Sequence, residues 1–337
     1  MIYSLYKDPI INKKISSDLD YIINSILTSI DGVVSIILTG SFGRGEGSVI
    51  IKDQNVNVLN DYDLLLVVHK KISPKKIVDL ESQFRKKLLL DYVDIAYWVN
   101  GASPESKSIY NFDLIHGSLV IWGDQSVLNN LPKFSSNQIQ LSDQYRLLIN
   151  RLFGVLLGFT TIDSKHKSYF FQTQLIHFFI ACYDINLIQL NAYSSSYKDR
   201  LLKINNIQNI ISFSQEELNE IEWAFSSKLQ PSLVSIEQLL LKSNVCFSLL
   251  NKLLLFFDEK AFQLSFAFRL KRVLKPIIFK FTISTDLFSL EKCLIDQFNL
   301  AEHFLKDDPS FLNQPSSAFL SWRKKSQNLL ALWELSK

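Results

Sequence analysis

Glycine is missing from everything after Gly158, which is more than half of the chain. A stretch of that length without glycine lacks the positive-φ turns of a hairpin-rich sheet, so it reads as helical. Cysteine is equally sparse. Cys182, Cys246 and Cys293 lie far apart with no Cys-x-x-Cys spacing, and an odd count fits reduced thiols in a cytoplasmic protein rather than a disulfide framework. The histidines, at positions 69, 116, 166, 177 and 303, are isolated from one another, so no zinc site is legible. The N-terminus lacks the charged and apolar regions of a signal peptide. No apolar run reaches the roughly 18 residues of a membrane helix. Leu147 to Phe159 comes nearest, and Asn150 and Arg151 interrupt it, so no membrane partner is expected. Charge of one sign is also lacking. A net charge of +3 over 337 residues argues against a protein that grips long nucleic acid. The Lys/Arg clusters at 70–71, 85–87, 269–272 and 323–325 sit at helical spacing and read as solvated helix faces.

What remains is a globular chain, 47% hydrophobic and long enough for two domains with substantial cores. The expected fold class is α+β: a small mixed sheet with helices on one side in residues 1–130, followed by an all-α bundle in 138–337. The turn-rich run 129–137 would link them. Helices are expected at 10–30, at 74–90 with Pro74 in the first turn, and then at 141–159, 168–193, 232–257, 262–275, 287–304 and 318–335. Ser214-x-x-Glu217 reads as a capping box opening one more.

Chemistry concentrates in the first third. Val33 to Leu38 is a β-branched, apolar strand that ends at Gly40-Ser41, after which Gly43, Gly45 and Gly47 alternate with Arg44 and Glu46. Such a loop lets backbone N–H groups approach a phosphate, while Ser41 offers a hydroxyl and Arg44 either reaches a phosphate oxygen or pairs with Glu46. It is neither a Walker loop nor a dinucleotide fingerprint, and by itself could be a surface hairpin. Asp61 and Asp63 add to it. At i and i+2 of a strand both carboxylates share a face, and the apolar run Leu64 to Val68 anchors them. Their mutual repulsion is relieved by Mg²⁺, whose usual ligands are carboxylate and phosphate oxygens. The plainer alternative is a solvated turn. Asp94 stands in a second strand-like run, 92–98, on the face of Tyr92, Ala96 and Trp98. If the two strands are neighbours, it completes a three-carboxylate cluster able to hold two metals about 3.5–4 Å apart. Asp91 competes for that place from a turn just before the run.

This pattern resembles the nucleotidyltransferase superfamily that includes DNA polymerase beta and the aminoglycoside nucleotidyltransferases. Gly40, Ser41, Gly45, Asp61, Asp63 and Asp94 match it position by position, and Arg44-Gly45-Glu46 looks most like the bacterial minimal members and small-molecule modifiers. The Ser41–Asp61 spacing is longer than common, and residues 48–60 would form an inserted hairpin or flap. The resemblance implies a cytoplasmic enzyme that moves NMP from an NTP, ATP first among the candidates, to a hydroxyl of a small molecule or protein. It implies Gly40, Ser41, Arg44, Gly45 and Glu46 as nucleotide-binding residues. Asp61, Asp63 and Asp94 would be catalytic and metal-binding, with two Mg²⁺ ions or Mn²⁺ in their place. A toxin-neutralising partner protein and a catalytically inactive nucleotide-binding regulator are the alternatives.

In the second half, Tyr193, Tyr197, Lys198 and Arg200 follow a long apolar helix that begins near Lys165 and Lys167. Tyr193, Tyr197, Arg200 and Lys167 could hold a substrate by stacking and charge. The preferred reading is plainer: a tyrosine-serine turn with a solvated rim of cations.

Overall fold

The computed structural model describes residues 3–6, 8–52, 55–59, 61–90, 92–100, 106–161, 165–263, 295–301 and 321–328. They form an α+β structure in two compact units. The first comprises Met1–Gln140, Asn191–Asn206 and Ser226–Pro231, and the second Leu141–Leu190, Ile207–Phe225 and Ser232–Lys337.

The first unit is built on a four-stranded sheet. Its strands are β1 (Val33–Leu38), β4 (Tyr62–Val68), β5 (Val93–Val99) and β6 (Leu119–Gly123), in the order β5-β4-β1-β6. β4 runs antiparallel to β1 and parallel to β5, with Asp63 opposite Asp94 in the register. The strands alternate between two cores. Ile36, Leu38, Tyr62, Leu64, Leu66 and Val68 pack with helices α1 (Pro9–Ser29) and α3 (Pro74–Leu88). Ile37, Leu65 and Val67 pack on the other face with Leu114 of helix α4 (Ile109–Gly117), Val120 and Leu131. Helices on one side alone were expected, and α4 corrects that. Its short, apolar sequence, Ile-Tyr-Asn-Phe-Asp-Leu-Ile, carries no clear period to mark it as a covering helix.

Within the expected insertion 48–60, the described residues include two paired strands. β2 (Val49–Lys52) pairs antiparallel with β3 (Asn55–Val58) as a separate two-stranded sheet. Two further segments complete this unit: helix α7 (Tyr197–Lys203), capped by the Ser196 hydroxyl on the Asp199 amide, and the C-terminal end of α8 (Gln215–Leu229). Both come from the part of the sequence read as one bundle.

The second unit holds α5 (Leu141–Thr161), α6 (Lys165–Gln189), the body of α8, and α9 (Ile236–Gln263). From Phe171 to Ile188 most of α6 is buried, as befits a helix apolar on all sides. The capping box is present: the Glu217 amide donates to Ser214 Oγ at 3.2 Å, and the Ser214 amide donates back to Glu217 Oε2 at 2.7 Å. Within Ile236–Lys260, α9 is long and apolar enough by length and composition to cross a membrane, although half of its most apolar stretch is buried. Residues 295–301 and 321–328 are helical, whereas the expected helix 262–275, apart from Phe262 and Gln263 at the end of α9, and the competing carboxylate Asp91 lie outside the described residues.

Candidate active site

β1 delivers the chain to the start of β4. The Thr39 amide donates to the Asp63 carbonyl at 2.8 Å, and its hydroxyl donates to the same oxygen at 3.3 Å. Immediately after comes α2 (Gly40–Gly43), one helical turn with Gly40 at φ +63°. A β-carbon at Gly40 would stand 1.8 Å from Asp63 Oδ2, so the loop lies directly against this carboxylate. Farther along, the Glu46 amide donates to the Ser41 carbonyl at 2.8 Å, and the Gly47 amide donates to the Tyr3 carbonyl at 3.0 Å. Phe42 packs beneath, 4.9 Å from the Tyr62 ring.

Asp61 precedes β4, and Asp63 and Asp94 are paired across β4 and β5, so all three project from the face that α4 covers. Each contributes an oxygen to a group lying within 4.8 Å of one another. Asp61 and Asp63 are partly buried and Asp94 is exposed. Burial, then Asp61 and Asp94, push the Asp63 carboxyl up to about 7, with Lys228 and Arg44 pulling the other way. Burial and Asp61 also raise Asp94. An all-oxygen cluster that resists its own ionisation suits a hard divalent cation, so these residues fit Mg²⁺.

The sign of the Asp63 shift gives an expected result. The folded-state value lies above the ordinary 3.8. The stability attached to the protonated form is complete below pH 4 and is lost as pH rises through about 7. Metal-free protein should therefore melt at a lower temperature at pH 7.5 than at pH 5, and millimolar Mg²⁺ should recover much of the loss. A melting temperature indifferent to Mg²⁺ at pH 7.5 would contradict the cluster's role as a cation ligand.

Not all of the loop's charged side chains face the carboxylates. Glu46, 4% exposed, accepts at Oε1 from Ser196 Oγ (2.7 Å) and the Lys198 amide (3.0 Å), and at Oε2 from the Tyr197 amide (2.8 Å). Its carboxylate thus serves the start of α7. The Arg44 guanidinium lies 4.9 Å from the centre of the Tyr197 ring and 3.8 Å from Asp113 Oδ2. Among the described residues its buried Nε makes no hydrogen bond but stands 3.7 Å from Glu46 Oε2, an ion pair within the loop.

The segment after α6 departs from the solvated-rim reading. Arg200 is 2% exposed and stacks 4.3 Å from the Tyr197 ring and 5.0 Å from the Tyr193 ring, while Tyr193 donates to Asp113 Oδ1 at 2.9 Å. Burial alone would raise the Tyr197 hydroxyl, but Lys228, Arg44 and Arg200 bring it below the ordinary tyrosine value. Lys167 is in α6, and its side chain lies outside the described residues. Asp113 and Lys228 carry no sequence signal that marks them. Asp113 lies in a short helix without a motif, and Lys228 looks like any cation in a helix's last turn.

No family model matches this sequence, and no curated protein matches it. Two solved structures show a likeness over 33% of the chain at 15% identity. One is the tri-AMPylated HEPN toxin of Shewanella oneidensis in complex with MNT antitoxin, with 74% of the matched chain covered and a TM-score of 0.24. The other is the toxin–antitoxin pair MntA–HpeT carrying two aspartate-to-glutamate changes, with 77% covered and a TM-score of 0.25. At that identity and overlap they do not bear on the activity of this chain.

Proposed function

We propose that the protein is a metal-dependent nucleotidyltransferase, moving NMP from an NTP to a hydroxyl acceptor and releasing pyrophosphate. One observation carries this reading: Asp61, just before β4, joins Asp63 and Asp94 of the neighbouring β4 and β5 in one carboxylate cluster, and Asp63 sits against Gly40, whose missing side chain leaves it room. Asp61, Asp63 and Asp94 would hold the divalent ion, which when bound neutralises phosphate charge.

The remaining chemistry belongs to the chain. The Ser41 hydroxyl and the amides at the start of α2 hold the terminal phosphates, since the amides of residues 43–47 are bonded within the chain, and Arg44, its Nε 3.7 Å from Glu46 Oε2, adds positive charge beside them. Asp94, exposed and with a raised pKa, accepts the proton of the acceptor hydroxyl. That oxygen forms its bond to the α-phosphorus as the bond to the bridging oxygen breaks, and pyrophosphate leaves with the electron pair. These residues all fall in the first unit.

The test is incubation of purified protein with Mg²⁺, α-labelled ATP and a panel of hydroxyl acceptors, followed by host lysate as a source of protein acceptors. Label should pass to an acceptor with equimolar pyrophosphate. Protein that binds neither Mg²⁺ nor any NTP by calorimetry is no nucleotidyltransferase. Binding without transfer to any acceptor would favour the inactive regulator.

A further inference from the structure

Between the glycine-rich loop and α7 stands a buried carboxylate with three donors. We propose that Glu46 is a positioning residue: it ties α7 to the loop and so sets where the Ser41 hydroxyl stands. The inference rests on the nucleotidyltransferase reading above and concerns how the phosphate-binding loop is held.

Glu46 is engaged on two sides. Its side chain accepts from Ser196 Oγ and from the amides of Tyr197 and Lys198, at 2.7–3.0 Å. Its own amide donates to the carbonyl of Ser41 at 2.8 Å. The neighbouring position adds rigidity, because the Gly47 amide is bonded to Tyr3 and a β-carbon there would fall 2.2 Å from the Phe42 ring. Ser196 is likewise committed, since its hydroxyl accepts from the Asp199 amide while donating to Glu46. Hydrogen bonds to an ionised carboxylate are short and strong, and a buried carboxylate without them is costly. The Glu46 side chain therefore cannot drift from α7, and its backbone, bonded to Ser41, moves with it. Arg44 contributes to the same junction by lying over the Tyr197 ring.

Loss of the latch releases the loop without removing any phosphate donor. The consequence is a weaker grip on the nucleotide rather than a lost chemical step. Glutamine at this position retains one acceptor oxygen but turns an NH₂ toward an amide, so it restores the latch only in part.

The experiment uses the full chain and compares Glu46→Ala, Glu46→Gln and Ser196→Ala with wild type. Mg·ATP affinity is measured by calorimetry, KM and kcat by transfer assay, and stability by thermal melting. Glu46→Ala should raise the nucleotide Kd and KM about tenfold with kcat changed much less, the scale of lost charged hydrogen bonds. Glu46→Gln should fall between it and wild type. Ser196→Ala should shift KM in the same direction by a smaller factor, although Ser196 belongs to α7 and not to the loop. If Glu46→Ala does not fold, Ser196→Ala decides. A lowered melting temperature with unchanged Kd and KM in the folded variants would make the latch structural only and overturn the inference while the nucleotidyltransferase reading stands. Wild type that binds no nucleotide would remove both.

Discussion

Replacing Asp63 with asparagine should reduce nucleotide transfer by about a thousandfold, the range found when a charge-stabilising group is removed from an active site. Asparagine preserves size and shape, so the Thr39 hydrogen bonds to the position 63 carbonyl remain. What disappears is the anion at the centre of the group formed with Asp61 and Asp94. The same substitution should stabilise metal-free protein above pH 7, because it removes a carboxylate that burial and two like charges already oppose. Lower activity with higher stability is the signature of a side chain kept for function against its own folding cost. Transfer of labelled NMP and thermal melting at pH 7.5 are the measurements. An Asp63→Asn protein with wild-type kcat would show that this carboxylate takes no part in the reaction.

Gly40→Ala should be nearly as damaging, for steric reasons. Its β-carbon would lie 1.8 Å from Asp63 Oδ2 and 2.8 Å from Cγ. At φ +63° the backbone itself disfavours a side chain by about 1–2 kcal/mol. Either Asp63 rotates away or the turn shifts, and a displacement near 1 Å can cost on the order of a hundredfold in rate. The expected result is a fall in kcat of that size, weaker Mg²⁺ binding and a lower melting temperature. Unchanged Mg²⁺ affinity would mean that the loop does not pack against the carboxylate.

Much of the sheet was legible because its signals are local. Val33 to Leu38 and Leu64 to Val68 are strands with apolar residues on both faces, and such strands appear as apolar runs, the first interrupted at Ser35. The i, i+2 spacing of Asp61 and Asp63 required only strand geometry. Their convergence with Asp94 depended on which strands are neighbours, and the parallel pairing of β4 with β5 supplies it. Of the environment of Glu46, the pairing with Arg44 was legible as one of two options, and Arg44 Nε stands 3.7 Å from Glu46 Oε2. The hydrogen-bond donors were not, because they lie 150 to 152 residues away in a serine- and tyrosine-rich segment that reads as a turn. In the sequence, Arg200 stands with Tyr193 and Tyr197 as a stacking candidate, but the solvated rim is the preferred reading for a related reason. A cation in polar sequence is normally solvated, and the rings of Tyr193 and Tyr197 and the carbonyls of Ser195 and Ser196 help make its burial tolerable. α7 was missed because seven residues are too few to display a period.

Because the sheet-bearing unit is written in three separate pieces of the chain, it cannot reach its final form in the order of its synthesis. When Gln140 has left the ribosome, the strands can pair and the two cores can close. At that point Glu46 is still without the three donors of 196–198, and Ser48 without the Lys228 carbonyl that its hydroxyl reaches at 2.6 Å. Contacts across such separations close late and slowly. A nascent chain shorter than about 200 residues therefore has Arg44 beside Glu46 but none of those three donors, so the glycine-rich loop is tied down only after the first long helices have been made.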